Sequence, residues 1–138
     1  MSDGEVTAET IDRLKAAARS ASEHAYCPYS KFRVGAAVLS DRGEIFSGCN
    51  VENASYGLTI CAERNAVFRM VAEGHTVIRL LVIYTPTPVA TAPCGACRQV
   101  LNEFGPSAQI LSFCDGPTVL ETTLAELLPS AFGPGNLE

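Results

Sequence analysis

Three thiols and one carboxyl limit what this 138-residue chain can fold into more than any other feature it has. Cys94-Gly95-Ala96-Cys97 sets two sulfurs at a C-x-x-C spacing where an apolar run ends and a helical pattern begins. A third sulfur, Cys61, stands well upstream and also at the start of a helical pattern, with Glu63 two positions beyond it. Three sulfurs can hold a tetrahedral metal such as zinc and leave one corner open, which separates a catalytic site from a closed structural one. Glu63 is placed to act on a water in that corner. A fold that serves this pattern must aim two helix N-termini, from distant parts of the chain, at one point.

Electrostatics explains the helix ends. Three thiolates around one divalent ion carry net negative charge, and such a cluster is costly to bury without compensation. Each helix N-terminus offers partial positive charge worth roughly 0.3–2 kcal/mol and depresses the thiol pKa. Arg64 follows Glu63 directly and can add a full positive charge; as a surface helix arginine it would need no such role. Glu63 has a plain reading too, since a glutamate in a first helical turn complements the dipole. The C-x-x-C alone also describes a thioredoxin-like redox pair, but that leaves Cys61 and Glu63 without a purpose. A closed structural zinc knot needs a fourth ligand. Cys27, Cys49, Cys114, His24 and His75 are available, and none has a ligand-like spacing to the site. The three spare cysteines are expected as small buried hydrophobes, and the two histidines, at helix ends, as solvated.

The remaining pattern supplies a scaffold. Thr7 can cap a helix whose apolar positions, Ile11, Leu14, Ala17, Ala18 and Ala21, recur through Ser22. Cys27-Pro28-Tyr29-Ser30 breaks the helical pattern. Residues 33–39 and 44–51 flank the turn Asp41-Arg42-Gly43 and predict a β-hairpin. Residues 52–60 have no period and read as loop. A helix is expected over 61–73, stopped by Gly74, then a strand over 78–84 covered on both faces. After a proline-rich loop come a helix over 95–104 closed by Gly105, a strand over 108–113 and a short strand over 118–122. A last helix over 123–128, capped by Thr123, precedes a loop tail. The order α-β-β-α-β-α-β-β-α predicts an α/β fold, a mixed sheet with helices on both faces, in a single domain spanning 1–138.

Composition excludes other classes. The net charge is −5 and no Lys/Arg stripe exists, so a phosphate backbone is not the expected partner. No apolar run is long enough to span a membrane, and residues 1–9 lack a signal-peptide pattern, so the cytoplasm is the expected location. Charged residues are only 18% of the chain, which points to surface covered in an oligomer. The tail adds a large aromatic, Phe132, beyond the last element, where its own chain offers it little core. Folding back onto the domain remains open to it.

With these residues in view, the chain resembles cytidine deaminase, the small homotetrameric zinc-dependent class that acts on free nucleosides. The similarity runs through Tyr29-Ser30-Lys31-Phe32-Arg33-Val34-Gly35-Ala36, Gly48-Cys49-Asn50-Val51-Glu52-Asn53-Ala54-Ser55-Tyr56 and Cys61-Ala62-Glu63-Arg64. It continues through Pro93-Cys94-Gly95-Ala96-Cys97-Arg98-Gln99 and the tail Phe132-Gly133-Pro134. One departure is that Tyr56 is followed by Gly57 where many relatives carry proline.

The resemblance implies a three-layer α-β-α fold on a five-stranded mixed sheet. It also implies one zinc per subunit held by Cys61, Cys94 and Cys97, with Glu63 as proton shuttle and Arg64 compensating charge. Asn50 and Glu52 would hydrogen-bond the ribose hydroxyls, Phe32 would pack on the pyrimidine, and Ala62 would line the substrate pocket. Polar hairpin-end residues in water, and a core phenylalanine, are the ordinary alternatives for Asn50, Glu52 and Phe32. Phe132, with Ala54 and Tyr56, would reach into a neighbour's pocket in a homotetramer with shared sites. The implied reaction is hydrolytic deamination of cytidine and 2′-deoxycytidine to uridine and 2′-deoxyuridine with release of ammonia, a pyrimidine-salvage step. Blasticidin S deaminases share both metal motifs and give the alternative within enzymes; a non-catalytic zinc or redox module is the alternative outside them.

Overall fold

The computed structural model describes residues 6–138; residues 1–5, part of the stretch read above for a signal peptide, lie outside the described residues. Helix α1, Ala8–Ser22, opens on Thr7, whose hydroxyl accepts from the Thr10 amide. Strand β1, Gly35–Ser40, and β2, Ile45–Cys49, form an antiparallel hairpin. Gly43 at the turn has φ +81°, the left-handed region that favours glycine. Helix α2, Ala62–Ala72, leads to β3, Ile78–Thr85; α3, Gly95–Phe104, leads to β4, Gln109–Cys114. Strand β5, Leu120–Thr123, and α4, Leu124–Leu127, complete the order.

The five strands lie in the order β2-β1-β3-β4-β5. Only the β3–β4 pair is parallel, so the sheet is mixed as expected. Helix α1 covers one face, where Leu14 and Ala18 pack on Ala37, Leu39, Val82 and Phe113. Helices α2, α3 and α4 cover the other, with Ala66, Met70, Leu101 and Leu124 on Val38, Leu81, Ile83 and Ile110. Strand β3 is buried at seven of eight positions, as its continuous apolar run predicts.

Two glycines set how closely the helices lie on the sheet. A Cβ at Gly35 would fall 1.8 Å from the Ala18 carbonyl oxygen in α1. At Gly48 it would fall 2.5 Å from the Ala66 nitrogen and 2.9 Å from the Ala62 oxygen in α2. Helix α2 therefore rests its backbone on β2, and the height of its N-terminal end above the sheet follows from that contact.

Several expectations need correction. His75 is buried, 8% exposed, not solvated: its Nδ1 lies 3.0 Å from Ser40 Oγ, and its ring meets Phe46 edge-on at 4.9 Å. A β-turn hydroxyl and a core aromatic give it partners that its helix-end position does not reveal. His24 is exposed as expected. Cys27 and Cys114 are buried, while Cys49 is only half-buried. The stretch read as loop after β2 contains a 3-10 turn at Tyr56–Leu58, and the tail contains another at Pro134–Leu137.

Candidate active site

Cys61 and Cys94 are the N-cap residues of α2 and α3, in extended conformation, and neither side chain caps its helix. A serine or aspartate there would turn back onto the helical amides; these thiols point elsewhere. Pro93 is fully buried, and Arg98 ties the approach to Cys94 by donating from Nε to the Pro93 oxygen (2.8 Å) and from Nη1 to the Leu127 oxygen (2.9 Å). Cys97 follows one turn into α3 and is buried.

The three sulfurs converge. Cys61 Sγ and Cys94 Sγ are 3.8 Å apart, Cys94 Sγ and Cys97 Sγ 3.5 Å, and all three lie within 4.8 Å of one another. Thiolates about 2.3 Å from a common tetrahedral zinc would be about 3.8 Å apart, close to the two separations given, so the donor set fits that ion. Among the described residues this is the one such cluster of three potential ligands. Arg64 leans onto it, Nη2 donating to Cys61 Sγ at 3.5 Å, while its buried Nε has no partner among the described residues. A guanidinium held there suits a cluster of negative charge. The reading of Arg64 as a freely exposed helix arginine does not hold.

The electrostatics of the cluster follow from its hydrogen bonds and burial. Hydrogen bonding to Cys97, helped by Arg64, draws the Cys61 thiol down to about 5. Its hydrogen bond to Cys61 and its own burial push Cys97 upward. Glu63, 5% exposed, is raised to about 7, chiefly by burial, with the charge on Cys61 adding to the effect.

Beside the sulfurs lies a cleft of about 250 Å³. Cys61, Ala62, Glu63 and Cys94 line it. Phe32, Asn50 and Glu52 line it too, as expected from sequence. Its polar residues otherwise are Ser30, Thr59 and Thr91. A recess of about 380 Å³ among Ile11, Gln109, Glu121 and Glu126 is larger but holds no sulfur, so size does not mark the chemistry.

Asn50 and Glu52 also do work that sequence reasoning did not assign. Asn50, 8% exposed, donates from Nδ2 to the Phe32 oxygen (2.8 Å) and accepts at Oδ1 from the Val34 amide (2.9 Å). Glu52 Oε1 accepts from the Tyr29 and Ser30 amides at 3.0 and 3.1 Å, and Oε2 accepts from the Ser30 hydroxyl. These bonds, the Ser30 hydroxyl foremost, hold the Glu52 carboxyl below its usual range. They brace a segment with no regular structure in which Lys31 takes φ +61°, a conformation costing a non-glycine residue on the order of 1 kcal/mol or more.

Ala54, Tyr56 and Phe132 do not line this cleft. Tyr56 is 75% exposed and stands beside a second recess with Tyr29, Ser30, Glu52 and Thr59. Phe132 is 58% exposed, while its carbonyl oxygen accepts from Gln99 Nε2 (2.9 Å) and Asn102 Nδ2 (3.2 Å) on α3. Ser30, Val34, Thr59, Ile83, Thr91 and Ala92 also line the cleft, and the sequence assigned none of them a role, although Ser30 and Val34 lie in a motif quoted above.

A family model described as the cytidine and deoxycytidylate deaminase zinc-binding region matches residues 8–112. The chain is 45% identical over 129 residues to a cytidine deaminase of Sporosarcina psychrophila, covering 92% of this chain and 94% of that one. It is 44% identical over 124 residues to that of Mycobacterium tuberculosis, covering 90% of each. The crystal structure of cytidine deaminase from Burkholderia pseudomallei superposes with a TM-score of 0.84 at 44% identity, over 92% of this chain and all of that one.

Proposed function

The chain belongs to the cytidine and deoxycytidylate deaminase family, and we propose that it hydrolyses cytidine and 2′-deoxycytidine to the corresponding uridines and ammonia. One observation carries the reading: three sulfurs converge, and two of them, Cys61 and Cys94, line a nucleoside-sized cleft together with the buried carboxyl of Glu63. Cys61, Cys94 and Cys97 would hold zinc, which when bound supplies a Lewis acid that acidifies water. The chain's own residues do the rest. Glu63 takes a proton from the attacking water and gives it to ring N3 as oxygen adds at C4. It then carries the proton of the new hydroxyl to the amine, the C4–N bond breaks and ammonia leaves. Burial suits this work, because a carboxyl whose pKa lies near neutrality both accepts and releases protons readily. Phe32 packs on the ring, and Asn50 and Glu52 reach the sugar. Among the described residues the cleft is lined by the carboxyls of Glu52 and Glu63 and by no Lys or Arg, which favours a neutral nucleoside over a phosphorylated one.

The test is direct: measure zinc in the purified protein and follow conversion of both nucleosides by ultraviolet absorbance. One zinc per chain with uridine formed supports the reading, whereas fully loaded protein that leaves cytidine unchanged refutes it.

The assembly belongs to the same proposal: one domain per chain, four chains, sites completed across interfaces, in the cytoplasm. Exposed Tyr56, Leu58 and Phe132, at 75%, 64% and 58%, are apolar side chains outside their own cleft, as a shared site requires. None of the described helices is long and apolar enough to cross a membrane. Reassembling a Glu63→Gln chain with a Phe132→Ala chain tests sharing. Activity above either parent supports it; demonstrably mixed tetramers that give only the average refute it.

A further inference from the structure

Ser30, Phe32 and Val34 line the cleft from the segment 29–34, which has neither helix nor strand to hold it. What fixes it is a set of side-chain bonds centred on one hydroxyl. Ser30 Oγ donates to Glu52 Oε2 and accepts from the Phe32 amide at 3.0 Å. Through that single oxygen, the carboxylate proposed to meet the sugar and the backbone of the ring proposed to meet the base are joined. The Tyr29 and Ser30 amides close on the other carboxylate oxygen, and Asn50 holds the far side of Phe32 by two further bonds. Lys31, between Ser30 and Phe32, sits in the left-handed region, so the segment's shape does not follow from its own backbone preference.

We infer that Ser30 is a positioning residue for substrate recognition: its hydroxyl locks the Glu52 carboxylate and Phe32 into one rigid clamp, so that sugar and base contacts are set together. The inference rests on the proposed nucleoside reaction. Its chemistry follows from the inventory of a hydroxyl, one proton to donate and two lone pairs to accept with, here engaged on two different partners. The Glu52 carboxylate, with one rotamer fixed by three donors, presents its remaining lone pairs in a fixed direction. None of these bonds touches α2 or the loop before α3, which carry the sulfurs and Glu63.

Removing the hydroxyl should therefore weaken binding while sparing the chemical step. In zinc-loaded protein, Ser30→Ala is expected to raise the KM for cytidine roughly tenfold, the order expected for a lost hydrogen bond to a charged group. The kcat should stay within about threefold and zinc should stay at one per chain. Ser30→Thr, which keeps the hydroxyl, should restore KM to within about threefold. If Ser30 acts through Glu52, adding Ser30→Ala to Glu52→Ala should change KM by less than about twofold, whereas independent contacts would multiply. Should Ser30→Ala fold poorly, Ser30→Cys keeps the shape with a weak donor and gives the same reading.

An unchanged KM, an undiminished effect in the Glu52→Ala background, or loss of zinc from Ser30→Ala would each overturn the inference. Hydrogen exchange at the Tyr29, Ser30 and Phe32 amides reports the clamp without turnover and should accelerate in Ser30→Ala. A wild-type protein that leaves cytidine untouched refutes the proposed reaction; the exchange rates then still decide whether the clamp exists, and unaccelerated amides would sink it.

Discussion

Adding one methyl group at Gly48 should do more damage than its distance from the sulfurs suggests. The new Cβ would lie 2.5 Å from the Ala66 nitrogen and 2.9 Å from the Ala62 oxygen, against ordinary contacts of 3.4–4 Å. Both opposing atoms are helix backbone and cannot swing aside, so α2 must rise from the sheet by about 1 Å to restore normal contact. Overpacking of this kind costs about 1–3 kcal/mol. For a chain of this size that lowers Tm by roughly 3–12 °C. The larger consequence concerns the chemistry, because α2 carries Cys61 at its cap and Glu63 in its first turn. A displacement of about 1 Å at reacting groups can cost on the order of 10²-fold in rate. Calorimetry and kcat on cytidine measure the two effects for Gly48→Ala, with zinc content followed alongside. Gly95→Ala is the control: it sits beside Cys94, yet its Cβ meets nothing within 4 Å in this chain, so stability, zinc and rate should stay near wild type. A Gly48→Ala protein with unchanged Tm and kcat would refute the claim that this contact sets the height of the catalytic helix.

Cys94→Ala should lose zinc, activity and several degrees of Tm together, because a bound metal stabilises the fold that binds it; metal analysis and a melting curve decide it. Chelating the wild-type metal should reproduce that melting curve. Glu63→Gln keeps the side chain's shape and removes the base, so zinc should remain while kcat falls by about 10²–10⁴-fold or more in the ultraviolet assay. Cytidine 5′-monophosphate should be turned over at least about tenfold less efficiently than cytidine, since no Lys or Arg lines the cleft among the described residues to meet a phosphate. Comparable kcat/KM values for the two would show that a cation reaches the site from elsewhere.

The elements built on strong periodicity were legible from the sequence: α1 through Ser22, α3 over Gly95–Phe104, and β3 as a strand covered on both faces. So was the sulfur cluster, because cysteine spacing at two helix starts admits few other arrangements. Boundaries governed by side chains bonding to backbone were not. The first strand was expected from Arg33 but begins at Gly35, since Asn50, not a neighbouring strand, takes the Phe32 oxygen and the Val34 amide. The second ends at Cys49, and Val51 makes only isolated bridges to Tyr26 and Ile60. The burial of His75 depends on Ser40 and Phe46, both distant in sequence, and no local pattern encodes that meeting. Ser30 stayed unremarked for the same reason, its partner Glu52 being 22 positions away.

The tether at the tail has a consequence for how this protein can change. Gln99 and Asn102 hold residue 132 by its carbonyl oxygen, a group every amino acid possesses, while the phenylalanine ring itself projects outward. The path of the chain there is thus independent of which side chain it displays. Position 132 works as an interchangeable fitting: natural variation or directed evolution can exchange the ring for a smaller, larger or polar group without redrawing the backbone that presents it. Diversity libraries at this site should consequently contain few misfolded members, and their differences should report on what the side chain meets.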